Sequence, residues 1–379
     1  MKFSVIGPTY PFRGGIAHYT TLLVKHLRES HPVSFYSYRR QYPRWLFPGN
    51  TARDPSHHIL HVDCDYSLDS LNPFTWWQVY RLIHAEAPEV VIVQWWTPFW
   101  TPMLVAMTKW IKMFKRTRHT KILFICHHVT PPEGGPFDLN LAGFAIRRGD
   151  FFIVHNEHDY LKLSEHLPHK IVRLIALPTF DLFNSTPLDQ RQAREQLNLA
   201  PDIPVALFFG FVRRYKGIGS LLEAMPLVLQ QFPIKLLIVG EFWEDRRLYE
   251  EQINRLGLQA HVQIIPRYVP NEEVGVYFSA ADLVVIPYIE TATSAVVRLA
   301  FGFDKPVVGT NVNGLSEVVV DGETGYLVPP GDSAALAQAI VRFFRENVAE
   351  KFSRQIALEK TERSWPHLIH LIEQLVSEN

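Results

Sequence analysis

Two cysteines, Cys64 and Cys126, are too few in 379 residues for a disulfide framework. Cys126 lies in the apolar run KILFIC, and a reducing compartment is expected. The chain also lacks a charge surplus. Lys+Arg and Asp+Glu number 38 each, which argues against broad nucleic-acid binding and leaves room only for a local basic patch. No stretch approaches the roughly 18 uninterrupted apolar residues that span a bilayer. The first residues, MKFSVIG, read as a strand with no apolar leader, so a cytoplasmic location is expected. The histidine spacings match no HExxH pattern and no metal site is read; GxGxxG is also absent.

What remains is a globular α/β chain. Apolar residues make up 47% and charged residues 20%, and the length predicts two domains. Short apolar runs alternate with amphipathic helical stretches. The strand candidates are KFSVIG, PVSFYSY, VVIVQ, KILFIC, FFIVHN and KIVRLIA, then PVALFFG, KLLIVG, VQIIP, LVVIP, PVVGT and YLVPP. Runs of this kind read as parallel strands buried on both faces. The pattern repeats around residue 185, which predicts two doubly wound Rossmann-like domains, 1–185 and 186–361. Ligands of such sheets bind beyond the carboxyl ends of the strands.

The strand ends carry the informative chemistry. GPTYPFRGGIAHYT places Gly14 and Gly15 at a helix start, where backbone N–H groups can approach a phosphate or a sugar; a tight turn explains the pair equally well. ICHHV ends a strand at His127 and His128, and IVHNEHDY follows another with His155, Asn156 and His158. Each is a hydrogen-bonding or acid/base candidate, though a polar strand terminus is the plainer reading. LFFGFVRRYKGIGSLLEA crowds Arg213, Arg214 and Lys216 before a helix near Gly217. Cations beside a positive helix end are tolerated best where an anion joins them, and a diphosphate fits both. IPYIETATSAVVRLAFGF offers another helix start near Thr293 and Ser294, with Glu290 before it and Arg298 within it. NVNGLSEVVVDGETGYLVPPGD is a glycine-rich turn system. Asp63-Cys64-Asp65 spells a lone DxD, which reads as ordinary loop.

The segments GFVRRYKGIGSLLEA, ADLVVIPY and KPVVGTNVNGLSEVVVDGETGYLVPPGD, with YPFRGGIAHYT, resemble glycosyltransferase family 4, which has the GT-B fold. The likeness covers essentially the whole chain. It is nearest to a bacterial subgroup that combines RGGIAH, QYPRWLFPG, WWTPF, CHHV and FGFVRRYKG blocks. The resemblance implies a retaining, metal-independent transfer of a hexose-type sugar from a nucleotide-diphosphate donor to a glycan or lipid-linked acceptor, without a cofactor. It implies that His127 lies near the transferred sugar and that Gly15 approaches the donor. It also implies that Arg213 and Lys216 bind the diphosphate, helped by backbone N–H groups at Ser294, Ala295 and Val296. Gly14, Gly210, Thr293 and Arg298 complete the expected donor set, and Glu290 is the expected sugar contact.

The family's paired glutamates are missing. Thr291 and Leu299 stand in their places, and Phe211 replaces an arginine. A non-catalytic GT-B protein that binds a nucleotide sugar or a partner is therefore the second reading, and a sugar-nucleotide epimerase a third. Met103 to Lys121 interleaves apolar and basic residues. Peripheral contact with the inner membrane face through 103–121 is weighed against a helix with a solvated basic face, the plainer reading. The amphipathic tail 362–379 is expected to return to the first domain.

Overall fold

The computed structural model describes residues 1–43, 53–57, 61–129, 138–180, 183, 188–290 and 294–378. The chain divides into two compact units. One comprises Met1–Pro55, Ile59–Leu177 and Trp365–Asn379; the other comprises Ser56–His58 and Pro178–Ser364.

The first unit contains β1 (Phe3–Ile6), α1 (Gly15–Ser30), β2 (Val33–Arg40), β3 (Asp65–Asp69), α2 (Pro73–Glu86), β4 (Val90–Trp95), α3 (Thr101–Met113), β5 (Lys121–Cys126), α4 (Asp138–Ile146), β6 (Phe151–Val154), α5 (Glu157–His166) and β7 (Ile171–Leu174). Its seven strands run in the order β3-β2-β1-β4-β5-β6-β7, and all neighbours pair in parallel. Central strands such as Val90–Trp95 are buried along their whole length. Burial on both faces is why the sequence shows them as unbroken apolar runs.

The second unit contains α6 (Gln190–Gln196), β8 (Val205–Phe209), α7 (Ile218–Leu229), β9 (Lys235–Val239), α8 (Arg247–Arg255), β10 (Val262–Ile265), α9 (Asn271–Ala280), β11 (Leu283–Ile286), α10 (Ala295–Gly302), β12 (Val307–Thr310), β13 (Gly325–Val328), α11 (Ser333–Arg345) and α12 (Ala349–Glu362). Its sheet order is β10-β9-β8-β11-β12-β13, again all parallel. The last helix, α13 (Trp365–Ser377), belongs to the first unit. There the Trp365 ring lies 5.2 Å from Tyr19 and stacks on His26 of α1.

All twelve strand candidates are present. One strand, β3, has no counterpart among them: DYSLD is acidic, partly exposed and at the sheet edge. It begins at Asp65, so the DxD run leads into a strand rather than lying wholly in a loop. Each sheet reverses its strand order once, between β1 and β4 and between β8 and β11. Those reversals are the topological switch points at which ligands of doubly wound sheets bind.

Candidate functional site

At the second unit's switch point, β8 ends at Phe209 and the chain passes through Gly210 into a 3-10 turn at Arg214–Lys216. The Lys216 Nζ sits 3.6 Å from the ring centroid of Tyr288, which follows β11, and 5.0 Å from that of Tyr215. Arg213 lies over the Tyr215 and Trp243 rings at 5.4 and 5.1 Å. Lys216 makes no ion pair among the described residues. Burial, and then the nearby Arg213 charge, push its ammonium down to about 7.

Two close approaches fix this arrangement. The Ile289 N–H donates to the Tyr215 carbonyl at 2.7 Å, joining the β8 loop to the β11 loop. Gly217 then turns the chain into α7 with φ +69, and a Cβ there would lie 1.8 Å from the Pro287 carbonyl oxygen. Only glycine meets both demands.

Helix α10 begins directly beside this turn. A Cβ at Gly210 would be 3.4 Å from Val296, in the first turn of α10. The N-cap residue Ser294 makes no capping hydrogen bond. Helices α2, α5, α6 and α11, by contrast, are capped by Asn72, Asn156, Asp189 and Asp332. Ser294 Oγ and Tyr288 Oη are both buried without a hydrogen-bond partner. Burial raises the Tyr288 phenol strongly, and the neighbouring Ser294 hydroxyl opposes that rise. Buried polar atoms normally find partners. A lysine ammonium, two hydroxyls and an uncapped helix start therefore converge on one place suited to an anion.

The other expected residues are distributed as follows. Glu290 is exposed just after Tyr288. Thr293 lies outside the described residues. Phe211 packs its ring 4.5 Å from Trp243 and 5.9 Å from Tyr268, so the arginine position of the family is aromatic wall here. Leu299 is buried. Arg298 is 2% exposed, and its Nε and Nη1 have no hydrogen-bond partner. Its charged neighbours are Arg363 and Glu359, and burial, followed by Arg363, lowers it to about 9. The structure thus sets Arg298 against the end of α12.

In the first unit, Gly14 is the N-cap of α1 with φ 108, and Gly15 is the exposed first residue of that helix. His127 follows β5 and is 5% exposed. Its Nε2 is 2.7 Å from Gln94 Oε1, at the end of β4. The Tyr19 ring meets it edge-on at 4.7 Å, and the His155 ring lies 5.5 Å away. Gln94 fits because residue 7 is glycine: a Cβ there would be 2.5 Å from Gln94 Cγ. Burial, then His155 and His128, hold His127 well below its ordinary range, so it is neutral at neutral pH. Gln94 Nε2 and Tyr19 Oη are also buried without partners. Among the described residues no group of three or more His, Cys, Asp or Glu is placed to hold a metal ion.

Three contributors were not singled out from sequence. Tyr288 and Trp243 stand just past strand ends, where the switch-point rule directs attention. Gln94 is the one amide in the apolar run VVIVQW, which was its signal.

Two Rossmann-like parallel-sheet units, the second with a cationic strand end beside an uncapped helix, define a doubly wound α/β class of fold. Residues 203–346 match the family model described as Glycosyl transferases group 1. That match lies within the second unit, and the fold is GT-B. It is 27% identical over 246 residues to a D-inositol 3-phosphate glycosyltransferase of Corynebacterium urealyticum, covering 61% of this chain and 58% of the relative. It is 36% identical over 146 residues to a phosphatidyl-myo-inositol mannosyltransferase of Mycobacterium leprae, covering 36% and 37%. The matched regions span 38–58% of the first curated relatives. Among solved structures, Anabaena HepE in complex with UDP matches with a TM-score of 0.77 at 18% identity, over 100% of both chains. A sucrose-phosphate synthase from Thermosynechococcus elongatus matches with 0.74 at 21%, also over 100% of both.

Proposed function

We propose that this chain is a retaining glycosyltransferase. It moves a hexose-type sugar from a nucleotide-diphosphate donor to a glycan or lipid-linked acceptor, in the making of a cell-surface polysaccharide or glycolipid. The observation that carries the reading is the Lys216 ammonium, without an ion pair, over Tyr288 and beside the uncapped start of α10. A leaving diphosphate gains negative charge as the sugar C1–O bond breaks. Fixed cations and helix N–H groups stabilise that charge more in the transition state than in the ground state.

In this reading Arg213 and Lys216 hold the diphosphate, with the N–H groups of Ser294, Ala295 and Val296. Gly210 leaves room for the donor, and Thr293 belongs to the same turn. The new bond forms between C1 and the acceptor oxygen. The acceptor proton passes to the departing phosphate oxygen on the same face, which gives retention without a strong protein base. Neutral His127 acts as a hydrogen-bond partner of the transferred sugar, Gly14 and Gly15 line its approach, and the exposed Glu290 reaches a sugar hydroxyl. We assign Arg298 to holding α10 on α12. The two cations do the work a divalent ion does elsewhere, so the reaction is proposed to need neither metal nor cofactor. Relatives named for phosphatidyl-myo-inositol, capsular polysaccharide and lipopolysaccharide support the acceptor class, and HepE structures with UDP and UDP-glucose support the donor class.

No described helix is long and apolar enough to cross a membrane. We place the chain in the cytoplasm, at the inner membrane face, through the basic surface that includes 103–121. The buried Leu299, where a ribose-binding glutamate is expected, favours the second reading, a nucleotide-sugar binder without turnover.

A thermal-shift screen of nucleoside diphosphates and their sugars tests binding, followed by transfer assays on the donors that bind. A ligand at a hundredfold its dissociation constant adds about 2.7 kcal/mol. Lys216→Ala should abolish the shift. Binding without hydrolysis or transfer on any acceptor tried selects the second reading, and no shift with any nucleotide removes both.

A further inference from the structure

Helix α2 is apolar on both sides. Trp76, Val79, Tyr80 and Ile83 pack into the core. Its outer stripe is Phe74, Trp77, Gln78, Arg81, Leu82 and Ala85, all exposed. Phe74 is 81% exposed, and Leu71, just before the helix, is 50% exposed. A soluble surface helix ordinarily reserves that outer stripe for charge. The aromatic row continues into α3, because the Trp77 ring meets Trp110 at 5.1 Å and Phe114 at 6.1 Å. Trp110 and Phe114 are themselves half-buried, while the neighbouring Met113 is 55% exposed.

The exposed charged side chains of α2, of α3 and of the turn after α3 are cationic. Arg81, Lys109, Lys115, Arg116 and Arg118 are exposed and form no ion pair among the described residues. Lys112 is neutralised by Asp150 at 2.5 Å. In α2, α3 and the turn up to Thr120 the only carboxylate side chain is Glu86, which accepts from Ser4 Oγ at 3.4 Å. Exposed aromatics fringed by unpaired cations are complementary to an anionic lipid interface, where rings enter the acyl boundary and cations meet headgroups.

We propose that the outer faces of α2 and α3 dock the first unit on an anionic membrane surface. Phe74, Trp77, Leu82 and Met113 are the inserting side chains. The inference rests on the membrane placement above but moves most of the apolar contact from 103–121 to α2, leaving α3 and its following turn to supply Met113 and the cations.

Flotation of the full chain with vesicles tests it. Wild type should float with vesicles containing phosphatidylglycerol and far less with phosphatidylcholine alone, and added salt should weaken the difference. Phe74→Ser with Trp77→Ser should lower partition by about tenfold or more. Lys115→Glu with Arg118→Glu should remove the preference for anionic lipid. Phe74 is so exposed that its replacement leaves the fold intact, which the thermal midpoint checks. Failure of wild type to float at low salt overturns the proposal, as does flotation that the double serine variant leaves unchanged. Self-association lost in the serine variant, with no lipid binding, assigns the face to a second copy and also overturns it. A protein that floats but shows no nucleotide shift keeps this proposal and loses the transferase reading.

Discussion

The Lys216 ammonium rests 3.6 Å from the centroid of the Tyr288 ring. A cation over an aromatic face gains about 0.5–2 kcal/mol. Here that contact stands in for a carboxylate: it holds the lysine at the strand end without an ion pair, so an incoming phosphate can take the partner's place.

Lys216 should give the protein an unusual pH dependence. Its ammonium is held at about 7, against an ordinary 10.5. Below about 7 both folded and unfolded chains carry the charge, and the fold bears the full burial penalty. The penalty fades as pH rises toward 10.5, because the unfolded chain then binds the extra proton. Lys216→Met should therefore melt higher than wild type in mildly acidic solution and converge with it at alkaline pH. A variant that melts lower below neutrality would mean that the ring contact outweighs the burial.

The same shift predicts proton uptake on ligand binding. A diphosphate restores the charged ammonium, so binding near neutral pH should draw protons from the buffer. Calorimetry in two buffers of different ionisation enthalpy reads the number taken up. Lys216→Met should reduce it toward zero, and equal heats in both buffers for wild type would count against recharging of the lysine.

How far the sequence reaches depends on what sets each feature. Strands buried on both faces, such as Val90–Trp95, declare themselves as apolar runs. β3 does not: its pairing with β2 carries register shifts, and its side chains are partly solvated. Arg213 and Lys216 are legible because three cations before a helix conflict with its dipole. Tyr288 beneath Lys216 is not, since the contact joins two strand ends that meet only in the folded sheet. Arg298 shows the limit most clearly. Its place in an apolar helix is plain from sequence, but α12 decides which way that face turns.

Gly217 should be intolerant of any side chain. Left-handed backbone alone costs a non-glycine residue about 1–2 kcal/mol. An added Cβ would also meet the Pro287 oxygen at 1.8 Å. Gly217→Ala should lower the thermal midpoint and weaken nucleotide binding together, because relief of the clash separates Lys216 from Tyr288. A variant that keeps wild-type affinity would show that the turn adapts without moving the lysine.

Arg298 and Glu359 should respond in opposite directions. The Arg298 guanidinium is buried with two of its nitrogens unpaired, and Glu359 opposes its loss of charge. Replacing a poorly satisfied buried charge with an apolar side chain of similar length is often stabilising, by about 1–4 kcal/mol. Removing the acid instead leaves Arg298 and Arg363 together without it, at a cost of about 3–5 kcal/mol. Scanning calorimetry should show Arg298→Met melting at or above wild type and Glu359→Ala well below. If Arg298→Met loses its donor-induced shift while keeping its stability, the arginine belongs to the donor site and not to the α10–α12 packing.

The last expectation concerns Gln94 and His127. A His127 held neutral makes the fold lose stability as pH falls below the ordinary 6.5, because the unfolded chain gains a proton that the folded chain refuses. The Gln94 amide, 2.7 Å from Nε2, selects which imidazole nitrogen carries the hydrogen. With Oε1 accepting from Nε2–H, Nδ1 is left as an acceptor. Glutamate at 94 can only accept when ionised, and it favours the imidazolium. Gln94→Glu should therefore raise the His127 pKa and reduce the loss of stability below 6.5. It should also move the acid limb of transfer upward in pH, since the neutral imidazole is the form proposed to meet the sugar. Gln94→Leu should leave the imidazole unheld and lower kcat more than donor affinity. Nitrogen chemical shifts of the His127 ring report tautomer and protonation independently of turnover. If they and the acid limb are both unchanged in Gln94→Glu, Gln94 does not govern His127.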